Sequence, residues 1–216
     1  VKRIAAAALA VLALSMQNAA ADTLTFYVND SQRRDMVKFT SKAPLETVVG
    51  ATGEVKGFVS VNAKDITDSP QAIFEVDLAS LKTGIGLRDR HMREQYLETD
   101  KFPAVVFELL EITDTDAKEL KENADIKLTA RGHFKLHGVT KEITVPITVG
   151  YYRESNDDGA RFAGELIRIT AEFDVLLSDY EIKRPQFVIL KLDDRQKVNI
   201  ELLGSTELPE VVFGNK

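Results

Sequence analysis

The sequence predicts an all-β protein, a single antiparallel β-barrel of about eight strands with one short lid helix. Three observations carry that expectation. Apolar and polar residues alternate with a period of two in run after run, which is the pattern of strands with one buried and one wet face. Turn-forming clusters separate these runs at regular spacing, with no long amphipathic helix between most of them, so hairpins rather than βαβ units connect neighbours. A sheet of that size with one apolar face hides both the face and its edges most simply by closing on itself.

Taken in order, the chain opens on Lys2 and Arg3, an apolar run over residues 4–14 and Ala19-Ala20-Ala21 before Asp22. These are the charged region, the apolar region and the small-residue cleavage site of a secretory signal. Cleavage is expected after Ala21, leaving residues 22–216 as one barrel domain in the periplasm. Val37 and Phe39 mark an early strand, and the alternation then continues through Val55/Gly57/Val59/Val61, Phe74/Val76/Leu78, residues 104–112, Ile126/Leu128/Ala130, Ile143/Val145/Ile147/Val149, Ile167/Ile169/Ala171/Phe173/Val175 and Val198/Ile200/Leu202. Turns are expected at residues 62–70, 114–116, 137–138, 156–159 and 193–194, and the tail after Leu208-Pro209 is expected to be loosely held. Phe39, Val59, Phe74, Val76, Phe107, Leu109, Leu128, Phe134, Val145, Ile147, Ile169 and Phe173 are therefore expected to face the barrel interior. A barrel of this size either fills with side chains or leaves room for a ligand, and alternation alone does not decide between them.

The insertion between two strands is the lid. Over residues 89–99, Met92 and Tyr96 stand at i,i+4 with Leu97 beside them, so a short helix presents one apolar face while Arg90, Arg93, Glu94 and Glu98 stay in water. Arg88, Asp89 and His91 form the best polar constellation at its start. Two roles fit them. A cation beside a carboxylate can hold a phosphate, carboxylate or quinone oxygen at a barrel mouth; alternatively Asp89 caps the helix while Arg88 and His91 pin the lid to nearby carbonyls.

Several classes of function are poorly supported. The absence of cysteine removes disulfides, thiolate catalysis and cysteine zinc sites. His133 and His137 have a helical metal-pair spacing, but on a strand four residues span ~13 Å, too far to share an ion, so no metal site is expected. There is no Gly-x-Ser-x-Gly elbow and no Walker loop, only the glycine pair of Gly84-Ile85-Gly86, so neither an enzyme nor a cofactor is expected. Removing residues 1–21 takes away two basic groups and no acid, so the net charge of −6 becomes −8 over the remaining 195 residues. That argues against nucleic acid and discourages an anionic membrane surface as the main partner. No later segment reaches the ~20 apolar residues of a membrane span.

Arg88-Asp89-x-His91 followed by Phe102-Pro103-x-x-x-Phe107 is similar to the RDxH…(Y/F)Pxx(I/V)xF segment of YceI-like proteins. Leu136-His137-Gly138-Val139-Thr140-Lys141 resembles the turn of that family, and residues 173–182, with Ser178-Asp179-Tyr180, resemble its late strand and turn. The resemblance implies a lipocalin-like barrel whose elongated apolar cavity takes an isoprenoid quinone, a polyprenyl lipid or a fatty amphiphile, with Arg88, Asp89 and His91 at the matched motif positions. It leaves a homodimer open as an assembly. Two departures stand out: the family's opening pattern is reduced here to residues 29–34, and Glu181 stands where a glycine commonly follows the Ser-Asp-aromatic turn. The rival reading is a filled barrel acting as an interaction module of the cell envelope.

Overall fold

The computed structural model describes residues 22–29, 34–153, 164–184, 186–187 and 190–207. The expected signal peptide, the turn at 156–159 and the tail after Leu208 lie outside them.

Eight staves close the barrel, and two of them are built from two strands each. The first stave combines β1 (Thr23–Val28) with β2 (Met36–Lys42), and the second combines β3 (Thr47–Thr52) with β4 (Val55–Asn62). β1 pairs with β4, and β2 pairs with β3. The remaining staves are β5 (Gln71–Asp77), β6 (Ala104–Thr115), β7 (Asp125–Leu136), β8 (Val139–Tyr152), β9 (Leu166–Leu176) and β12 (Arg195–Ser205), each antiparallel to its neighbour. β12 closes the ring by pairing with β9 on one side and with β2 and β1 on the other. The two-residue strands β10 (Gln186–Phe187) and β11 (Leu190–Lys191) form a separate hairpin.

Closure is interrupted between β8 and β9, which pair only from Ile147 and Ala171 to Tyr152 and Leu166, and again on β12, between Glu201, its last residue opposite β2, and Ser205, opposite β1. Asp35, which is almost fully buried, sits there, and its carboxylate accepts the Leu203 N–H at 2.8 Å. A side chain thus satisfies a ladder donor that would otherwise be orphaned. The β7–β8 connection is a two-residue turn, His137 (φ 51°) and Gly138 (φ 79°), between the paired Leu136 and Val139. Both φ values are positive, as the hairpin turn that follows strand twist requires.

The expected strands all form. β1 and β3 were not marked by the alternation pattern. β3 is six residues long, carries Gly50 in its middle and has a full ladder only to β2, so its sequence signal is weak. The lid helix starts three residues earlier than expected. It comprises α1 (Gly86–His91), which runs on into a wide π-type turn, Met92–Tyr96.

Two clusters make up the interior. One packs Phe26, Val59, Ile126, Leu128 and Ile167 into a dense end of the barrel. The other gathers Leu81, Phe134, Leu136, Tyr180 and Ile182 towards the lid, with Met92, Tyr96 and Leu97 packed against them.

Candidate functional site

Between the lid and the dense end lies an apolar cavity of about 450 Å³. This is within the ~300–1,000 Å³ of ordinary ligand pockets. Phe39, Phe74, Val76, Phe107, Phe134, Val145, Ile147, Ile169 and Phe173 line it, as do Met92, Tyr96 and Leu97 of the lid. Inward-pointing Phe74, Val76, Ile147 and Phe173 are only half-buried. In a filled barrel these positions would be sealed by their opposite numbers; all four instead border the cavity, and Ile147 borders a second hollow as well.

Val59, Leu109 and Leu128 do not line it, contrary to expectation. Val59 and Leu128 are at least nine-tenths buried in the dense cluster, and Leu109 packs against that cluster. All three point inward, but further along the barrel axis, where facing side chains meet. The register also shifts on β6 between Leu109 and Glu111, leaving Leu110 exposed on the outside. Lining residues outside the expected set include Val37, Val198 and Ile200, which share the period-two pattern, and Leu81 and Ile182, which sit in non-strand segments without any periodic signal.

Three phenylalanines of the wall owe their positions to glycines. Gly50 stands opposite Phe39 and Gly57 opposite Phe74. A Cβ at Gly50 would collide with the Phe39 ring, one at Gly57 with Phe74 and the Ile73 carbonyl, and one at Gly132 with the Phe107 ring. Each ring packs against the bare backbone of the adjacent stave, in space a side chain would otherwise fill.

The start of the lid is held by a polar knot on Thr83. Asp89 Oδ1 accepts the Thr83 N–H at 2.7 Å and its hydroxyl at 2.5 Å. Arg88 donates through Nε to Thr83 Oγ1 (2.9 Å), through Nη2 to the Thr83 carbonyl (3.2 Å), and through Nη1 to Glu46 Oε2 (3.2 Å) on the β2–β3 turn. Asp89 is therefore not the N-cap: the cap position is Ile85, which offers no side-chain bond, and Asp89 reaches back from the first turn instead. Burial pushes the Asp89 carboxyl up, but the Thr83 donors, with Arg93 and Arg88 nearby, outweigh this and hold it below the ordinary carboxylate value. Arg88 and His91 line the cavity, whereas Asp89 serves as an anchor behind them.

The far end of the lid is tied by His137. Its Nδ1 lies 3.1 Å from the Tyr180 carbonyl, its Nε2 lies 3.2 Å from Glu98 Oε2, and its ring packs on Phe102 at 4.5 Å between centroids. Both partners are acceptors, so both bonds form together when the imidazole carries two protons. Hydrogen bonds from Lys101 and then His137 hold the Glu98 carboxyl below its ordinary value. His133, by contrast, is exposed on β7. Among the described residues no group of three or more His, Cys, Asp or Glu side chains could hold a metal ion. No described helix is long and apolar enough to cross a membrane.

An eight-stave antiparallel barrel with an internal apolar cavity under a short helical lid defines a lipocalin-like protein. The chain belongs to the YceI-like domain family, whose model matches residues 27–203. It is 30% identical over 133 residues to a UPF0312 protein of Vibrio parahaemolyticus, a match covering 59% of this chain and 65% of that relative's length. Two solved structures share the fold. Burkholderia cenocepacia BcnA aligns with a TM-score of 0.61 at 16% identity, covering 81% of this chain and 99% of that one. A polyisoprenoid binding domain from Saccharophagus degradans, implicated in plant cell wall breakdown, aligns with a TM-score of 0.61 at 15% identity, covering 84% and 98%.

Proposed function

We propose that the protein binds a polyisoprenoid or similar long-chain amphiphile in its cavity and carries it through the periplasm without covalent chemistry. The observation that carries this reading is the cavity wall, which is built almost wholly of aliphatic and aromatic side chains, with Glu46, Thr83, Arg88 and His91 gathered at the lid's N-terminal end. A hydrocarbon chain gains ~0.8 kcal/mol per buried CH₂ before association costs are subtracted. A polar head at the other end of the same molecule meets Arg88 and His91, whose N–H groups suit a phosphate, hydroxyl or quinone oxygen. The polyisoprenoid binding domain of Saccharophagus degradans, with the same fold, supports the choice of ligand class. The rival filled-barrel module requires a closed interior, and a cavity of about 450 Å³ speaks against it.

The test is organic extraction of the purified protein followed by mass spectrometry. One class of lipid with a long isoprenoid or acyl chain is expected, at about one molecule per chain. Recovery of no lipid, together with failure to bind an added polyprenol or long-chain quinone, overturns the reading. The periplasmic part is tested separately, by sequencing the N-terminus of the exported protein, which is expected to begin at Asp22.

A further inference from the structure

We propose that the cavity mouth docks on an anionic lipid bilayer through two apolar tips that flank it. The first tip is Gly84-Ile85-Gly86-Leu87, where all four residues are exposed, Ile85 at 53% and Leu87 at 56%. Nothing lies within 4 Å of where a side chain would start at Gly84 or Gly86, so the tip stands clear of the body. The second tip is the β2–β3 turn, where Leu45 follows Pro44 and is 77% exposed, the most exposed large apolar side chain among the described residues.

The two tips are held side by side. Backbone bonds in both directions between Ala51 and Lys82, at 3.0 and 3.1 Å, fasten the base of the first tip to β3, and the Arg88–Glu46 ion pair at 3.2 Å joins it to the second. Ile85, Leu87, Arg88 and Glu46 also line the cavity, so the exposed apolar surface is continuous with the cavity wall and marks its opening. Isolated exposed apolar residues need no explanation, but a group concentrated on protruding loops around an opening marks a surface that meets an apolar partner.

Charge identifies that partner. Lys42, Lys82 and Arg90 are exposed on or beside the tips and make no ion pair among the described residues. The two carboxylates of the same segments are engaged, Glu46 by Arg88 and Asp89 by Thr83, while the exposed Asp193, whose N–H donates to the Lys42 carbonyl, offsets Lys42 and leaves Lys82 and Arg90 as the cations of the rim. A chain of net charge −6 therefore presents a local cationic rim around apolar tips, which complements anionic headgroups over a hydrocarbon layer. The inference builds on the cargo reading: a water-insoluble chain enters such a cavity most directly from the bilayer that holds it.

The chain has no cysteine, so Gly86→Cys, at an exposed position outside the cavity wall, carries an environment-sensitive fluorophore that reports on the first tip alone. With vesicles of equimolar phosphatidylcholine and phosphatidylglycerol, the probe is expected to shift to the blue. Binding to phosphatidylcholine alone, or in high salt, is expected to be weaker by ~tenfold or more. On the same reporter, Leu45→Asp, and separately Lys82→Glu with Arg90→Glu, are expected to weaken vesicle binding by a similar factor. These three positions lie outside the cavity wall, so loading with dispersed farnesol stays unchanged. Absence of a shift on either vesicle, or equal binding by the reporter and these variants, overturns the docking proposal. So do tips that ignore vesicles and instead crosslink to an envelope protein. Vesicle binding without farnesol loading supports docking and counts against the cargo reading, which keeps the two failures apart.

Discussion

Glu181 occupies a backbone position that suits glycine. It closes the Leu177–Tyr180 turn at φ 56°, where a Cβ crowds the following carbonyl. Glu181→Gly is therefore expected to stabilise the fold by up to ~1 kcal/mol, the left-handed strain relieved less the added chain entropy. Urea denaturation measures it, and a clear loss of stability would contradict this account of the turn. Asp89 gives a second prediction. Its carboxyl is depressed in the folded state, so its contribution is fully present above the unfolded value near ~4 and is lost as pH falls through the folded value. The stability gap between wild type and Asp89→Asn is expected to be constant near neutrality and to shrink in acid, as read from thermal melts across pH. A gap that widens in acid would contradict the anchor. The identity of Arg88, Asp89 and His91 was legible in the sequence, but their division of labour was not. The knot closes on Thr83, a residue that belongs to neither a strand period nor a helix period.

The lid is the element on which function turns. Its apolar stripe was legible from the i,i+4 spacing of Met92 and Tyr96, and both line the cavity together with Leu97. It starts three residues before the expected Asp89, at Gly86 behind an uncapped Ile85, where neither a capping side chain nor a good helix former marks the beginning. Met92→Asp or Tyr96→Asp is expected to speed release of bound polyprenol at least ~tenfold, since a charge facing an apolar cavity is costly. Glu94→Gln, on the exposed side of the same turn, is expected to leave release unchanged. Stopped-flow transfer to acceptor vesicles measures all three, and equal rates would mean the lid does not retain cargo. The wall shows another limit of pattern reading. Gly50, Gly57 and Gly132 look like interruptions in strands, but each is where a ring from the next stave lies against bare backbone.

Across the whole molecule, alternation told which side chains point inward but not how far along the barrel axis they sit. Val76 and Leu128 carry the same inward signal, and only the closed ring shows that Val76 borders the lid-end cavity while Leu128 packs into the other cluster, beside a second hollow. Net charge is a coarse guide in a related way. The acidic total of −6 is a sum over the whole surface, while Lys82 and Arg90 gather at one corner of it. The difference between the two ends can be probed with an indole at each level. Leu128→Trp is expected to strain the packed end by ~1–3 kcal/mol and leave cargo in place, whereas Val76→Trp is expected to keep most of the stability and occupy the cavity instead. The central claim, that the lid half of the barrel is a container for a long apolar chain, is tested most directly by native mass spectrometry of wild type and Val76→Trp after purification without detergent. The expected result is a wild-type species carrying one long-chain lipid and a Val76→Trp species of similar thermal midpoint carrying none. Empty wild-type protein that stays empty when offered polyprenol, or equal lipid loading of the two proteins, would contradict it.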